Sequence, residues 1–94
     1  MEKPQQIQIK ILDQDLKGHY ANLAQVAHTK EEFWVDFFDV FPPAGVLASR
    51  VIMSPGHFKR LTRAFKENLE KYEERFGKVA EAEEPKSEIG FSVK

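Results

Sequence analysis

The chain contains no cysteine, so it can form no disulfide and offers no thiolate nucleophile or cysteine metal ligand. The chain also lacks an excess of charge of either sign, because 14 Lys and Arg nearly balance 15 Asp and Glu and the formal net charge is -1. Any binding to nucleic acid or anionic lipid would therefore have to be local. No stretch approaches the roughly 20 apolar residues of a membrane span, and residues 1–6 lack the apolar core of a signal peptide. These absences predict a cytoplasmic protein without membrane contact.

What is present is typical of one small folded domain: 94 residues, of which 41% are hydrophobic and 31% charged. A chain of this length buries only about two-thirds of its unfolded surface, so its core is marginal unless association adds to it. Composition predicts a disordered N-terminus over residues 1–4, a single α+β domain over 5–77 and an acidic, disordered tail over 78–94. Within that tail, Ile89 to Val93 either stays free or docks on a sheet edge or partner.

Alternating and aromatic segments predict an antiparallel sheet of about four strands in a meander. Gln6 to Ile11 alternates polar and apolar residues, as a strand with one wet face does. His19 to His28 alternates less cleanly, and its alanines also suit a helix. Phe33 to Phe41 is rich in aromatic and β-branched residues, which favours a strand, although Glu31-Glu32 could open a helix there.

Two adjacent prolines place a hairpin loop between the third and fourth strands. Proline lacks the amide donor that a ladder needs, so Phe41-Pro42-Pro43-Ala44-Gly45 must interrupt regular structure. If Phe41 faces Gly45, the other pairs are Trp34 with Ile52, Val35 with Val51, Asp36 with Arg50 and Phe38 with Ala48. Cross-strand pairs of these kinds contribute roughly 0.2–1 kcal/mol each.

A long helix follows the sheet. Ser54 can cap free backbone amides, and Pro55 suits the first helical position because its φ is preset. An apolar stripe with spacings of three and four comprises Phe58, Leu61, Phe65, Leu69, Tyr72 and Phe76. Gly77 supplies the stop. The predicted fold is thus α+β, with one long C-terminal helix packed on one face of the sheet.

The segment Phe33 to Phe41 is apolar on both faces, and this predicts self-association. One face, which can cover the helix stripe, carries Phe33, Val35, Phe37 and Phe41. The opposite face carries Trp34, Phe38 and Val40 and lies beside Ile52 and Ala48. A single helix cannot cover both faces, so we expect a homodimer unless the first strand or the tail covers the second face. The predicted interface, which we call the Trp34 face, comprises Trp34, Asp36, Phe38, Val40, Arg50 and Ile52.

The sequence shows little sign of catalytic or metal chemistry. His19, His28 and His57 do not have a spacing that places two ligands on one face. Asp36 and Asp39 lie three apart and point to opposite faces of a strand, so Asp36 is better explained as a partner of Arg50. No nucleophile elbow or phosphate loop occurs. We expect no enzyme activity, no cofactor and no metal.

The long helix has a basic first half and an acidic second half. The basic residues are Lys59, Arg60, Arg63 and Lys66, and the acidic residues are Glu67, Glu70, Glu73 and Glu74. This order is the reverse of what the helix dipole prefers, and pairs such as Arg63 with Glu67 offset part of the cost. A solvated charged face is the ordinary interpretation. The alternative is a patch for an acidic partner or nucleic acid.

Several short segments together resemble a known family. They are Asn22-Leu23-Ala24, residues 28–33, Asp36-Phe37, residues 49–55 and residues 71–77. In this order they resemble the small prokaryotic family called domain of unknown function 3467, over about residues 5–77. The resemblance implies no activity, cofactor or catalytic residue. A meander followed by a long helix also resembles, in outline, the SecB export chaperones, in which sheets pair into oligomers and apolar grooves hold unfolded chains.

The functional expectation is therefore a homo-oligomeric module that binds protein or peptide as an adaptor or in a chaperone-like role. The alternative is nucleic-acid binding by the basic half of the helix.

Overall fold

The computed structural model describes residues 4–84 and 89–91. A short 3-10 helix at Asp13–Lys17 precedes three strands, β1 (Leu23–His28), β2 (Phe33–Phe41) and β3 (Ala44–Met53). One helix, α1 (Pro55–Phe76), follows. The chain forms two compact units, of which the first ends at Phe58 and the second begins at Lys59. An α+β class with a single long helix after the sheet is confirmed.

The sheet is an antiparallel meander in the order β1-β2-β3. It has three strands in the described residues, where the sequence predicted about four. Gln6 to Ile11 is not assigned to a strand, and Ile7 and Ile9 are 81% and 79% exposed. Alternation shows which side of a strand would be apolar, but a strand also needs an edge that accepts its backbone hydrogen bonds.

β1 begins at Leu23, later than the His19 that the sequence predicted. The side chain of Asn22 takes the place of a peptide group beside β2, because its Nδ2 donates to the Val40 oxygen and its Oδ1 accepts from the Val40 nitrogen, both at 2.8 Å. The Asn22 nitrogen also donates to the Phe38 oxygen at 3.0 Å. The Asn22 side chain thus provides the last pair of hydrogen bonds at this end of the β1–β2 pairing.

The loop between β1 and β2 settles the secondary structure of the segment that follows. Thr29 Oγ1 accepts hydrogen bonds from the backbone nitrogens of Glu31 and Glu32, each at 3.2 Å. The Thr29 nitrogen donates to the Glu32 oxygen at 2.9 Å. These bonds make a tight turn and leave Glu31 and Glu32 outside any helix. Phe33 to Phe41 is a strand, as predicted.

The register of β2 on β3 agrees with the sequence prediction in its first part. The confirmed pairs are Trp34 with Ile52, Val35 with Val51 and Asp36 with Arg50. Side-chain chemistry explains this agreement, since the only opposite charges on the two strands' shared face meet here and apolar residues flank them.

Beyond Phe37 the register shifts by one residue at a bulge. Phe38 pairs with Leu47 and Phe41 with Ala44, where the sequence predicted Ala48 and Gly45. The loop holds only Pro42 and Pro43, which are joined by a cis peptide bond. A loop of two residues lengthens β3 by one, and Ala48 is the extra residue that the bulge accommodates.

The helix starts and stops where the sequence predicted. Ser54 Oγ accepts from the His57 nitrogen at 3.2 Å, and the Phe58 nitrogen donates to the Ser54 oxygen at 2.9 Å. At the other end, Gly77 has φ 92, a conformation that side chains disfavour, and its nitrogen donates to the Glu73 oxygen at 2.9 Å. Packing of α1 on one face of the sheet stays a prediction.

The second unit consists of most of α1 and the residues after it. Within this unit, the rings of Tyr72 and Phe76 lie 5.0 Å apart, and the Val79 nitrogen donates to the Glu73 carboxylate at 2.9 Å. α1 contains no buried residue. The described part of this unit therefore contains no core of its own.

Burial in the described residues is concentrated in the first part of β2. Val35 is the only buried apolar residue there and Asp36 the only buried polar one, at 7% and 8% exposure. At the start of β2, the Phe33 ring stacks on Phe58 with centroids 4.2 Å apart and lies 5.1 Å from the His28 ring. Nineteen large apolar side chains among the described residues are exposed.

Candidate interaction surface

One face of the sheet brings together all six residues of the predicted Trp34 face. Successive side chains of a strand alternate between faces, so Trp34, Asp36, Phe38 and Val40 of β2 lie on the same side. Antiparallel partners share a face, which adds Ile52 and Arg50 from β3. The other cross-strand neighbours on this side are Leu47, Leu23, Gln25 and Ala27.

An ion pair occupies the middle of this face. Arg50 Nε donates to Asp36 Oδ1 at 2.6 Å, and Arg50 Nη2 donates to Asp36 Oδ2 at 2.8 Å. The two parallel bonds form the planar fork that arginine makes with carboxylates. The Asp36 side chain is 11% exposed, whereas that of Arg50 is 53% exposed. The carboxylate is thus largely covered while the guanidinium still reaches the surface.

The hydrogen bond from Arg50 lowers the pKa of Asp36 from its ordinary value, although burial acts in the opposite direction, and the arginine charge lowers it further. The same bond raises the pKa of Arg50. Both groups are therefore charged at neutral pH. Because each charge has its partner within one chain, the pair presents no net charge to a molecule that covers this face.

Apolar side chains surround the ion pair. Ile52 is 58% exposed and Leu47 is 52% exposed, while Trp34 and Phe38 are half-buried. A face that combines aromatic rings, aliphatic side chains and an internally neutralised ion pair suits burial against another protein surface. It provides no nucleophile with a neighbouring base, which hydrolytic chemistry would need.

A comparison with known families adds to this geometry. Residues 1–81 match the family described as Protein of unknown function (DUF3467). The chain belongs to DUF3467. The match covers the sheet and all of α1, so the resemblance found in the short segments is confirmed over most of the chain. No curated protein and no solved structure matches the chain.

Membership in DUF3467 brings no activity to this chain, so each predicted chemical group has to be located in the structure. Asp39 pairs with Val46 on the face opposite Asp36, so the two carboxylates do not converge. Residues 4–84 and 89–91 contain no group of three side chains that could hold a metal ion. In the same residues, no helix combines the length and apolar character needed to cross a bilayer.

The four basic residues of the DUF3467 chain that we predicted as a patch lie in the first half of α1, and all are exposed. They are Lys59, Arg60, Arg63 and Lys66. Arg63 Nε lies 3.8 Å from Glu67 Oε1, with side chains 73% and 59% exposed. An exposed contact of this length adds little stability, but it places the Glu67 carboxylate beside the patch. The patch is therefore basic only in part.

Sequence reasoning missed two parts of the candidate surface. Leu47 replaces Ala48 beside Phe38 because of the bulge, and the short Pro-Pro loop was the signal that could have revealed it. The neighbours from β1 were not assigned because no register of that strand on β2 was predicted. Asn22 was the signal there, since an asparagine before an alternating segment can replace a backbone group at a strand end.

Proposed function

We propose that this DUF3467 protein is a self-associating binding module without enzymatic activity. It forms a homodimer through the Trp34 face and binds protein or peptide segments in the cytoplasm, as an adaptor or in a chaperone-like role. The supporting observation is the lack of burial: among the described residues only Val35 and Asp36 are buried. Extended apolar surface on a small folded chain marks a site of interaction.

The energetics of the Trp34 face support pairing of two copies. An aromatic side chain buries about 150–250 Å², so half-burial of Trp34 and Phe38 from both copies gives on the order of 10 kcal/mol gross at about 25 cal/mol per Å². Association costs about 4–15 kcal/mol. The aromatic rings alone offset most of that cost, and the exposed Ile52 and Leu47 add to the gain.

The ion pair makes this face tolerant of burial. A lone charge in an apolar interface is strongly unfavourable, whereas a paired and hydrogen-bonded one is not. Asp36 and Arg50 satisfy each other within one chain, at 2.6 and 2.8 Å, before any partner arrives. A second copy can then cover the face without supplying a counter-charge.

Binding of other chains would use apolar surface that pairing leaves uncovered. On the opposite face of the sheet, Val46 and Val51 are 55% and 42% exposed. In the second unit, Phe65 is 62% exposed. Aliphatic and aromatic surface without a fixed set of polar partners favours extended apolar segments over one defined ligand.

Light scattering on Trp34→Ala tests the dimer. Tyr20→Ala is the matched control, because Tyr20 is also a large aromatic residue, is 73% exposed and lies outside the strands. We expect the parent chain and the control to form dimers. The dimer of Trp34→Ala should have a dissociation constant about tenfold higher than the parent dimer, or more. A parent chain that scatters as a monomer at every concentration would remove the proposal.

Nucleic-acid binding through the basic half of α1 is the second candidate function. It is supported by four exposed cations within eight residues of one helix. The test is Arg63→Ala with Lys66→Ala, against Lys71→Ala with Arg75→Ala in the acidic half. A nucleic-acid site requires affinity that falls with salt and that weakens only in the first variant. Lack of binding to single or double strands at low salt rules this candidate out.

A further inference from the structure

Residues 6–11 have the pattern of a strand, but they pair with no strand in the described part of the chain. Ile7, Ile9 and Ile11 are 81%, 79% and 62% exposed, and they alternate with Gln6, Gln8 and Lys10. As a strand, the segment would have one aliphatic side and one polar side. Three isoleucines on one side of such a strand would form an apolar patch of the kind that marks an interaction site.

β1 offers an edge that fits this segment. It is an outer strand, since its only strand neighbour in the described sheet is β2, and it is six residues long. Exposed edges are usually protected by lysine, proline or a bulge. β1 has none of these, whereas β3, at the other edge, carries Arg50 and the bulge near Ala48.

The chemistry of the two surfaces also matches. Val26 of β1 is 54% exposed and continues a row formed by Val35 and Val51 across the sheet. An antiparallel neighbour with Ile9 opposite Val26 would extend that row by one aliphatic residue. The polar side of the segment would then lie beside Gln25, the polar residue on the other face of β1.

We infer that residues 6–11 of one copy add as a fourth strand to the β1 edge of a second copy, antiparallel and reciprocally. In the chain itself, a 3-10 helix at Asp13–Lys17 and Gly18, with φ 71, separate the segment from β1, and the two are not paired. Exchange between copies places the segment beside a β1 edge that each chain leaves unpaired in its own sheet.

The buried area is adequate for a dimer. Full burial of an aliphatic side chain removes roughly 60–120 Å² of apolar surface from water. Six isoleucines from two copies, together with the surfaces they cover, bury roughly 700–1,400 Å². With two added backbone ladders the total reaches the range of about 1,200–2,000 Å² that stable interfaces show.

The inference rests on the proposed self-association but not on the Trp34 face, since it uses a different segment and an edge of the sheet. The two can therefore fail separately. If Trp34→Ala leaves the dissociation concentration unchanged while the strand is still exchanged, the Trp34 face is not the interface and the strand exchange is supported.

Cysteine trapping tests the exchange directly, because the parent chain has no cysteine. One chain carries Ile9→Cys, and a second chain, with a C-terminal size tag, carries Val26→Cys. Antiparallel partners lie about 4.5–5.5 Å apart between Cα atoms, within the range for a disulfide. Mild oxidation of the mixture should give a covalent heterodimer that a reductant reverses.

The control replaces Val26→Cys by Gln25→Cys, whose side chain points to the other face, and this mixture should give no more heterodimer than random collision does. A single chain that carries both Ile9→Cys and Val26→Cys is oxidised separately at low concentration. A disulfide-linked monomer would show pairing within one chain and overturn the inference, as would the lack of any cross-link in the mixture.

A second measurement needs no cysteine. Ile7→Asp with Ile9→Asp is compared with Gln6→Asp and Gln8→Asp, which adds the same charge to the other side of the segment. Because all four side chains are exposed, both variants should fold, as circular dichroism can check. We expect the isoleucine variant to weaken association about tenfold or more and the glutamine variant to change it much less. Equal effects would contradict the exchange.

Discussion

The two halves of strand β2 are held in different ways. In residues 33–37, which we call the Asp36 half, the strand is stabilised by side chains. Val35 and Asp36 are buried, and Arg50 donates two hydrogen bonds to Asp36. In residues 38–41, the turn half, Phe41 is 54% exposed, and the Asn22 side chain binds the backbone of Val40 from one side while a bulge interrupts the ladder on the other. One half depends on side-chain packing and the other on backbone geometry, so substitutions should affect them differently.

The largest effect should follow from a smaller side chain in the Asp36 half. Val35→Ala removes two methyl groups from the only buried apolar residue in the described part of the chain, and we expect a loss of about 2 kcal/mol in the free energy of unfolding. Thermal unfolding should then shift down by roughly 10 °C. Val46→Ala makes the same change in β3 opposite the turn half, where Val46 pairs with Asp39 and is 55% exposed, and should cost about 0.5 kcal/mol or less. Similar losses would remove the distinction between the halves.

A backbone effect should dominate in the turn half. Asn22→Ala deletes both hydrogen bonds to Val40, and we expect a cost of about 1 kcal/mol with faster amide exchange at Val40. The control is Asn68→Ala in α1, whose Nδ2 makes one bond to the Ala64 oxygen at 3.1 Å. If exchange at Val35 rises as much as exchange at Val40, the two halves do not open separately.

Acid should weaken the Asp36 half. The folded chain holds the pKa of Asp36 below its ordinary value, so the unfolded chain binds the proton more readily. The stabilisation is thus present above the ordinary aspartate range and is lost as pH falls through the folded pKa. Urea midpoints measured from neutral to acid pH should fall less steeply in Asp36→Asn than in the parent chain. Asp39→Asn, which changes a carboxylate on the opposite face, should retain the parent slope.

The smallest effect on stability should come from deletion of Ala48. Residues on both sides of the bulge keep their partners when this extra residue is removed, so the ladder becomes continuous. We expect slower amide exchange at Leu47 and Ser49 and little change in the unfolding midpoint. A large loss of stability would mean that the bulge is required for the fold.

The same division explains how much could be predicted from the sequence. The register of the Asp36 half was correct because opposite charges and matching apolar residues specify it. The ends of α1 were also correct, since Ser54, Pro55 and Gly77 act through local backbone chemistry. The predicted Trp34 face followed from the alternation of β2, which fixes the side of each residue.

Other features could not be predicted from the pattern of residue types. Val46, Leu47 and Ala48 are all apolar, so alternation could not identify the one that the bulge leaves unpaired. Gln6 to Ile11 has a clear alternation, but the availability of an edge is a property of the sheet and of its neighbours.

The ion pair of the Trp34 face also has a consequence for the response to salt. Since Asp36 and Arg50 neutralise each other within one chain, a dimer through this face joins two surfaces that carry little net charge. Sodium chloride should therefore change its dissociation constant only slightly, because screening acts on charges that attract or repel across the interface. Sulfate, which is excluded from apolar surface, should tighten the dimer. A complex of the basic half of α1 with nucleic acid would weaken in both salts, so a simple change of anion distinguishes the two modes of binding.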